Sequence, residues 1–226
     1  MFVDEKLIYR KKISFNNTST INFKYSFNNN KAGLIAKLEA FVSLHSPNWK
    51  EMSFFFVSGA IIGIPLNVYI HNSAVGIIAG LSPYYFLLIS EIVLAPFIEE
   101  FSKVFGLIYR HGETEQTFFK LAVLSGFGFG IAEFLIITFT IGSSAIINFP
   151  GIFFHLSAAG ITAYGIAINQ AFRYYLLAVF LHFLHNLFLF FSPSLLFGLS
   201  TSTAIMVITF FIARKLQNLT KNQFVG

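Results

Sequence analysis

The chain contains no cysteine, which excludes disulfides, iron–sulfur clusters and thiol chemistry. Aspartate occurs once, at Asp4, far from any apolar segment. An aspartate dyad or a Ser-His-Asp triad inside a membrane is therefore excluded as well. Charge is scarce. Asp, Glu, Lys and Arg make up 11% of the 226 residues, against about 25% in soluble domains. Hydrophobic residues make up 55%, with 31 Phe, and the mean hydropathy is +0.70. A water-soluble globule of this composition would expose very large apolar patches. The sequence predicts an all-α polytopic membrane helix bundle.

The formal net charge is +5, and its distribution argues against a nucleic-acid partner. Every Lys and Arg except Lys103 lies outside the apolar cores, the usual orientation signal of a membrane protein. Met1–Lys12 is charged and lacks an apolar run of signal-peptide length, so no signal peptide is expected.

Residues 1–50 read as a basic cytoplasmic arm, and residues 51–226 as the transmembrane domain. Within the arm, Ile21, Phe23, Tyr25 and Phe27 alternate as in a short strand. Leu34, Ile35, Leu38, Phe41 and Val42 fall on one helical face over Lys31–His45. That pattern predicts an amphipathic helix, lying on the membrane surface or packed on the protein itself.

Six apolar helices are expected at 52–71, 84–109, 118–141, 146–168, 174–191 and 194–213, each long enough to cross roughly 30 Å of hydrocarbon. Ser73–Pro83 is apolar but short, either re-entrant or a helix extension. With the arm inside, Arg110, Lys120, Arg173, Arg214, Lys215 and Lys221 are all cytoplasmic. The opposite connections, 72–83, 142–145 and 192–193, carry no Lys or Arg. Six spans with both termini cytoplasmic satisfy the positive-inside rule. Abundant Asn, Ile, Lys and Phe point to AT-rich coding and the cell membrane of a prokaryote.

Ionisable residues inside the spans each cost about 2.5–3.5 kcal/mol when they face lipid. Glu91, Glu99, Glu100 and Lys103 fall in the second span, Glu133 in the third, His155 in the fourth, and His182, His185 and Asn186 in the fifth. At 1.5 Å per residue from the cytoplasmic ends, Glu99, His155, His182, Asn186 and Glu133 lie roughly 12–22 Å deep. They converge on one level, biased to the cytoplasmic half. Glu99 and Lys103 share a face at i, i+4, as do His182 and Asn186. Pro96 is expected to kink the second span, and the carbonyl it frees needs another partner. The run Gly126-Phe-Gly128-Phe-Gly130 has no preceding strand and is no dinucleotide fingerprint; Gly126 and Gly130 form a small-residue face for helix contact. Small residues from Ser157 to Gly165 do the same on the fourth span.

A single buried Glu–Lys pair or a lone intramembrane His is ordinarily structural. Glu91, nearer the outer surface, is expected to be structural, and His185 stands even between the two roles. Convergence of Glu99, Glu133, His155 and His182 argues for chemistry. A Glu can act as general base on water, a His can share that role or stabilise an oxyanion, and an Asn amide can donate to the oxyanion. This set suits hydrolysis of an acyl compound, such as a peptide bond, without a covalent nucleophile. No cofactor is called for. A divalent metal such as zinc also suits Glu and His donors, although no short ligand pair at metal spacing is present.

The segment Pro96-Phe-Ile-Glu99-Glu100-Phe-Ser-Lys103 resembles the EExxK motif of the PrsW family of intramembrane proteases. Phe129-x-x-x-Glu133 is similar to that family's second motif, His155 followed by small residues to its third, and His182-x-x-x-Asn186 to its fourth. The four stand in the family's order over about 100 residues. The wider superfamily includes the CAAX prenyl proteases and bacteriocin-processing enzymes. The resemblance implies a membrane glutamic protease acting on a membrane-anchored protein or peptide. In it Glu99 is the base, Glu100 and Lys103 position that base, His155 and His182 bind water or stabilise the intermediate, and Asn186 completes the oxyanion site. Glu133 is counted with the same catalytic residues, its role among them less defined. Lys103 and Glu133 stand where the CAAX branch has Arg and His, which argues against prenylated substrates. Phe134 stands where PrsW members often have Asn. PrsW cleaves an anti-sigma factor on the outer side of the membrane; the depths estimated above point to the cytoplasmic half, so that substrate does not carry over. From another class, a proton-coupled transporter or channel with the Glu/His cluster as a proton relay fits the same residues.

Overall fold

The computed structural model describes residues 9–14, 20–26, 37–42, 46–108 and 114–221. The chain divides into two compact units, Met1–His45 and Ser46–Gly226.

In the first unit, β1 (Tyr9–Ser14), β2 (Thr20–Ser26) and β3 (Lys37–Val42) form an antiparallel sheet in the order β1-β2-β3. The alternating strand expected around Ile21–Tyr25 is β2; Phe27 lies outside the described residues. The amphipathic helix expected over Lys31–His45 is not formed at Lys37–Val42, and the rest of that stretch lies outside the described residues. Lys37–Val42 pairs instead with β2, placing Lys24 opposite Glu39 and Phe23 opposite Ala40. Six residues satisfy helical and alternating patterns nearly equally. The free edge of β2 decides between them, because its open N–H and C=O groups need partners.

The second unit is all-α, with six long helices among the described residues. They are α1 (Trp49–Ile78), α2 (83–108), α3 (Glu115–Ile141), α4 (Ala145–Ala167), α5 (Ala171–Phe190) and α6 (Leu195–Leu219). Five of these are long and apolar enough to cross a membrane. The remaining one, α2, is of similar length but carries Glu91, Glu99, Glu100 and Lys103. The protein is an integral membrane protein. Large apolar side chains project outward, among them Ile77, Phe139, Ile146 and Leu196, as a lipid-facing surface requires. Ser73–Ile78 extends α1, and a turn at 79–82 leads into α2.

Local signals explain the helix ends. Asn48 caps α1 in a capping box, its side chain accepting from the Lys50 and Glu51 backbone while the Asn48 N–H donates to the Glu51 carboxylate. Pro83 stands at the first position of α2, where a missing N–H costs nothing. Gly142 closes α3 at φ 79°.

Helix α4 is the centre of the bundle and packs on α2, α3, α5 and α6. Its residues from Ser157 to Gly165 are all buried. The glycine run of α3 serves two neighbours. A Cβ on Gly126 would lie 2.6 Å from the His155 carbonyl oxygen of α4, and one on Gly130 would lie 3.0 Å from the Ile152 Cα. On the opposite face, Gly128 of α3 lies against the Phe56 carbonyl of α1, and Gly59 of α1 against the Ser125 carbonyl of α3. Packing and backbone proximity hold such helices together, since apolar side chains gain nothing by leaving lipid. Gly128→Ala and Gly59→Ala should each lower thermal stability in detergent by about 1–3 kcal/mol, the usual cost of overpacking. Gly76→Ala, whose added methyl meets nothing within 4 Å, should leave the transition unchanged.

Candidate active site

The chemistry begins with an irregularity in α2. Leu88–Leu94 is wound as a π-helix, so the Ala95 N–H reaches back five residues to the Ser90 carbonyl. The same step from residue 96 would reach the Glu91 carbonyl, but Pro96 has no N–H. The side chain of Asn186 on α5 takes its place, with Nδ2 donating to the Glu91 carbonyl at 2.9 Å. The partner that Pro96 demands is thus Asn186. One of its N–H groups is thereby withdrawn from the oxyanion role implied for it.

One helical turn further on, Glu99, Glu100 and Lys103 are all buried. Lys103 does not pair with Glu99, as the i, i+4 spacing suggested. Its Nζ donates to Glu100 Oε1 at 2.6 Å, across i, i+3. The ammonium also lies 5.4 Å from the ring centroid of Phe129 and 5.9 Å from that of Phe154, within the range of cation–π attraction. Two aromatic faces and one carboxylate select the i+3 partner. Ser125 on α3 donates to the Lys103 carbonyl at 2.7 Å and holds this turn of α2 against α3.

Glu100 Oε1 accepts a second bond, from His182 Nδ1 of α5, at 2.7 Å. A carboxylate paired with an ammonium offers only acceptors, so Nδ1 carries a proton, and in the neutral ring Nε2 bears the lone pair. That lone pair faces Glu99, with Nε2 3.7 Å from Oε2. Glu99 Oε2 is buried and has no hydrogen-bond partner. Two acceptors thus confront each other, which is favourable only with a donor or a cation between them. On the other side, Glu133 of α3 pairs with His155 Nε2 of α4, and His155 Nδ1 is likewise buried without a partner. The rings of His155 and His182 meet edge to face at 5.4 Å. His185 stacks on Phe154 at 4.8 Å, and its Nδ1 lies 3.0 Å from Ser202 Oγ of α6.

These groups line a cavity of about 400 Å3 between α2, α3, α4 and α5, a volume typical of small-molecule and peptide side-chain sites. Glu99, Glu133, His155, His182, His185 and Asn186 all contribute to its wall. Glu100 and Lys103 lie behind it. The cavity runs from mid-bundle past Phe134, Ile137, Ile147, Asn148, Leu189 and Phe190. Those residues approach the end that carries the 142–144 and 191–194 connections. The cavity therefore extends away from the end that carries the basic connections. Glu133, 18 residues after the first residue of α3, meets Glu99, nine residues before the last of α2. Toward the opposite end, Phe55, Val104, Leu107, Leu121, Ala159 and Ala163 pack into an apolar core.

Two wall residues were missed or discounted in the sequence. Glu91, expected to be structural, stands half exposed on the cavity wall, 3.8 Å from His71. Asn148 had one available signal, an amide inside an otherwise apolar helix start. Among the described residues, one carboxylate oxygen of Glu99, one of Glu133 and one ring nitrogen of His155 lie within 4.8 Å of each other and could hold a metal ion. No protein-family model, curated protein or solved structure matches the chain.

Removing Lys103 alone should be costly, because Glu100 would remain charged and buried with only His182 beside it. Lys103→Met is expected to destabilise the protein by about 3–5 kcal/mol, while Lys103→Met combined with Glu100→Gln recovers most of that loss. Thermal denaturation of these two variants, of Glu100→Gln alone and of the wild type in one detergent measures the coupling.

Proposed function

We propose that the protein is an intramembrane endopeptidase that hydrolyses a peptide bond of a membrane-associated substrate with a Glu99-activated water. One observation carries this reading. The buried, unpartnered Oε2 of Glu99 faces the Nε2 lone pair of His182 across 3.7 Å, within a cavity inside an apolar bundle. A water that donated to both acceptors would stand where a nucleophile is needed. Glu100 fixes the His182 tautomer, in the manner of a carboxylate orienting a catalytic imidazole.

In this reading Glu99 takes a proton from the water as its oxygen attacks the carbonyl carbon of the substrate. The carbonyl π electrons move to oxygen, and the tetrahedral oxyanion forms in a low-dielectric site where oriented donors act strongly. The second amide N–H of Asn186 and the His155–Glu133 pair on the facing wall are the groups available to it. Glu99 then returns the proton to the amide nitrogen as the C–N bond breaks, leaving a carboxylic acid and an amine. The resemblance to the PrsW family implies the same first base, and membership of that family is part of the proposal.

A relay through a transporter would require access from both ends. The cavity approaches one end only, and the apolar core at the other supports hydrolysis over transport. Placing both termini in the cytoplasm of a prokaryotic cell, as the positive-inside rule directs, turns the cavity toward the outer side of the membrane. The chain has no native cysteine, so single-cysteine labelling tests this directly. Ser143→Cys should react with an impermeant maleimide in intact cells, and Asn169→Cys only after permeabilisation. The reverse pattern would turn the cavity toward the cytoplasm.

Proteolysis is tested with purified protein in liposomes and a membrane-anchored reporter peptide. Glu99→Gln should lower turnover by about 10²-fold or more, as expected for loss of a general base, with an unchanged melting transition. His182→Gln should impair it as well. Full turnover by a folded Glu99→Gln variant would refute the assignment.

A further inference from the structure

We propose that a groove between α3 and α6, floored by α4, binds one anionic phospholipid, with an acyl chain in the groove and the phosphate on Arg214. The groove shares no lining residue with the Glu/His cavity, and the inference does not rest on the hydrolase reading.

Helices α3 and α6 both pack on α4, yet make no more than marginal contact with each other. Their ends meet where the Gln116 side chain donates to the Thr220 carbonyl at 3.4 Å and the Lys221 N–H donates to the Glu115 carboxylate at 2.7 Å. Beyond this tie lies a cavity of about 200 Å3. Leu156 and Ser157 of α4 form its floor, Phe119 and Val123 of α3 one wall, and Phe210 of α6 the other. Gly160 lets the α3 wall lie close on α4: a Cβ there would stand 2.8 Å from the Phe119 ring and 3.2 Å from Val123. Ser157 donates its hydroxyl to the Phe153 carbonyl of its own helix at 2.8 Å, so the floor behaves as an apolar surface. Phe210 is 47% exposed, on a face bathed by lipid. A gap left unfilled on such a face forfeits dispersion contacts, and an acyl chain restores them.

Charge selects the headgroup. Leu195–Ala213 of α6 contains no charged residue. At 1.5 Å per residue that run spans about 28 Å, close to the hydrocarbon thickness of a bilayer. Arg214, which lines the groove beside Gln217, therefore stands at headgroup level. Its Nη1 donates to Gln217 Oε1 at 2.6 Å, which orients the guanidinium and leaves its other N–H groups for a ligand. A planar guanidinium matches two phosphate oxygens at once. Lys120, next to Phe119 in sequence, and Lys215, next to Arg214, are both exposed and add positive charge at this end. Among the described residues, no carboxylate forms an ion pair with Lys120, Arg214 or Lys215. Glu115, the acid nearest this end of α3, is buried and accepts from Lys221. Basic sites between membrane helices favour anionic headgroups, and the same field repels the cation of a zwitterionic one.

The test uses the full-length chain, delipidated in detergent and titrated with phosphatidylglycerol or with phosphatidylcholine of the same acyl chains. Native mass spectrometry of the wild type, which needs no variant to fold, should show one phosphatidylglycerol retained per chain in preference to phosphatidylcholine. Arg214→Gln should weaken phosphatidylglycerol binding by about 10-fold or more, the usual worth of charge-assisted hydrogen bonds, and Arg214→Lys should fall between. Arg173→Gln removes an exposed cation outside the groove and should leave the affinity unchanged. The chain has one tryptophan, so Phe210→Trp in a Trp49→Phe background reports on the groove alone. Phosphatidylglycerol with brominated acyl chains should quench that fluorescence and saturate at one equivalent, and soluble glycerol phosphate should not displace it. Equal retention of the two lipids, unchanged affinity in Arg214→Gln, or absence of quenching would each overturn the site. So would displacement by glycerol phosphate, which would mean a phosphate site without a chain, or a dimer formed through this face that excludes the lipid.

Discussion

Everything in the cavity follows from how one buried ammonium is held. Lys103 sits in the middle of a lipid-surrounded bundle, where an uncompensated charge is not tolerated. Its neutralisation by Glu100, with the rings of Phe129 and Phe154 on its flanks, brings α2, α3 and α4 together at one level. Because the same Glu100 oxygen also accepts from His182, α5 is drawn to that level too. The pair thereby does more than cancel charge. It determines which nitrogen of His182 is protonated, and so directs a lone pair at Glu99. Glu99 is left facing that lone pair, its Oε2 without a hydrogen-bond partner.

Helix irregularities place these groups. A regular helix through 88–96 would leave a different carbonyl free at Pro96. The π-wound segment moves the vacancy to Glu91, where Asn186 fills it. Such segments widen a helix locally and recur at functional sites. The glycines of α3 act in the opposite sense, by subtraction. They let the α1 and α4 backbones approach closely on two faces, so α3 can carry Glu133 inward to His155. The cavity that holds the Glu/His cluster extends toward the end opposite the basic connections.

Much of this was legible in the sequence. Scarcity of charge and long apolar runs required a helical membrane protein, because only internally hydrogen-bonded elements cross hydrocarbon. Cost argued that Glu99, Glu100, Lys103, Glu133, His155 and His182 face one another, and they do. A carbonyl partner for Pro96 was required by covalent structure alone. These inferences succeed because they depend on solvation and backbone chemistry, which are properties of the residues themselves.

What the sequence left open depended on rotation, tilt and competition between neighbours. Spacing allows Lys103 to reach Glu99 or Glu100, and only the rings of α3 and α4 with the imidazole of α5 decide for Glu100. Depth counted along straight helices put the site in the cytoplasmic half. Counting along one helix does not say where a cavity opens, and this one extends the other way, making a wall residue of Glu91. Lys37–Val42 could follow a helical or an extended pattern until the edge of β2 offered it hydrogen bonds. The sequence by itself determined the solvent of this protein and the composition of its polar cluster, since transfer energies add residue by residue. The tertiary structure alone decided which acid is paired, which is free and toward which end it is open, since those depend on distances between helices that no single segment contains.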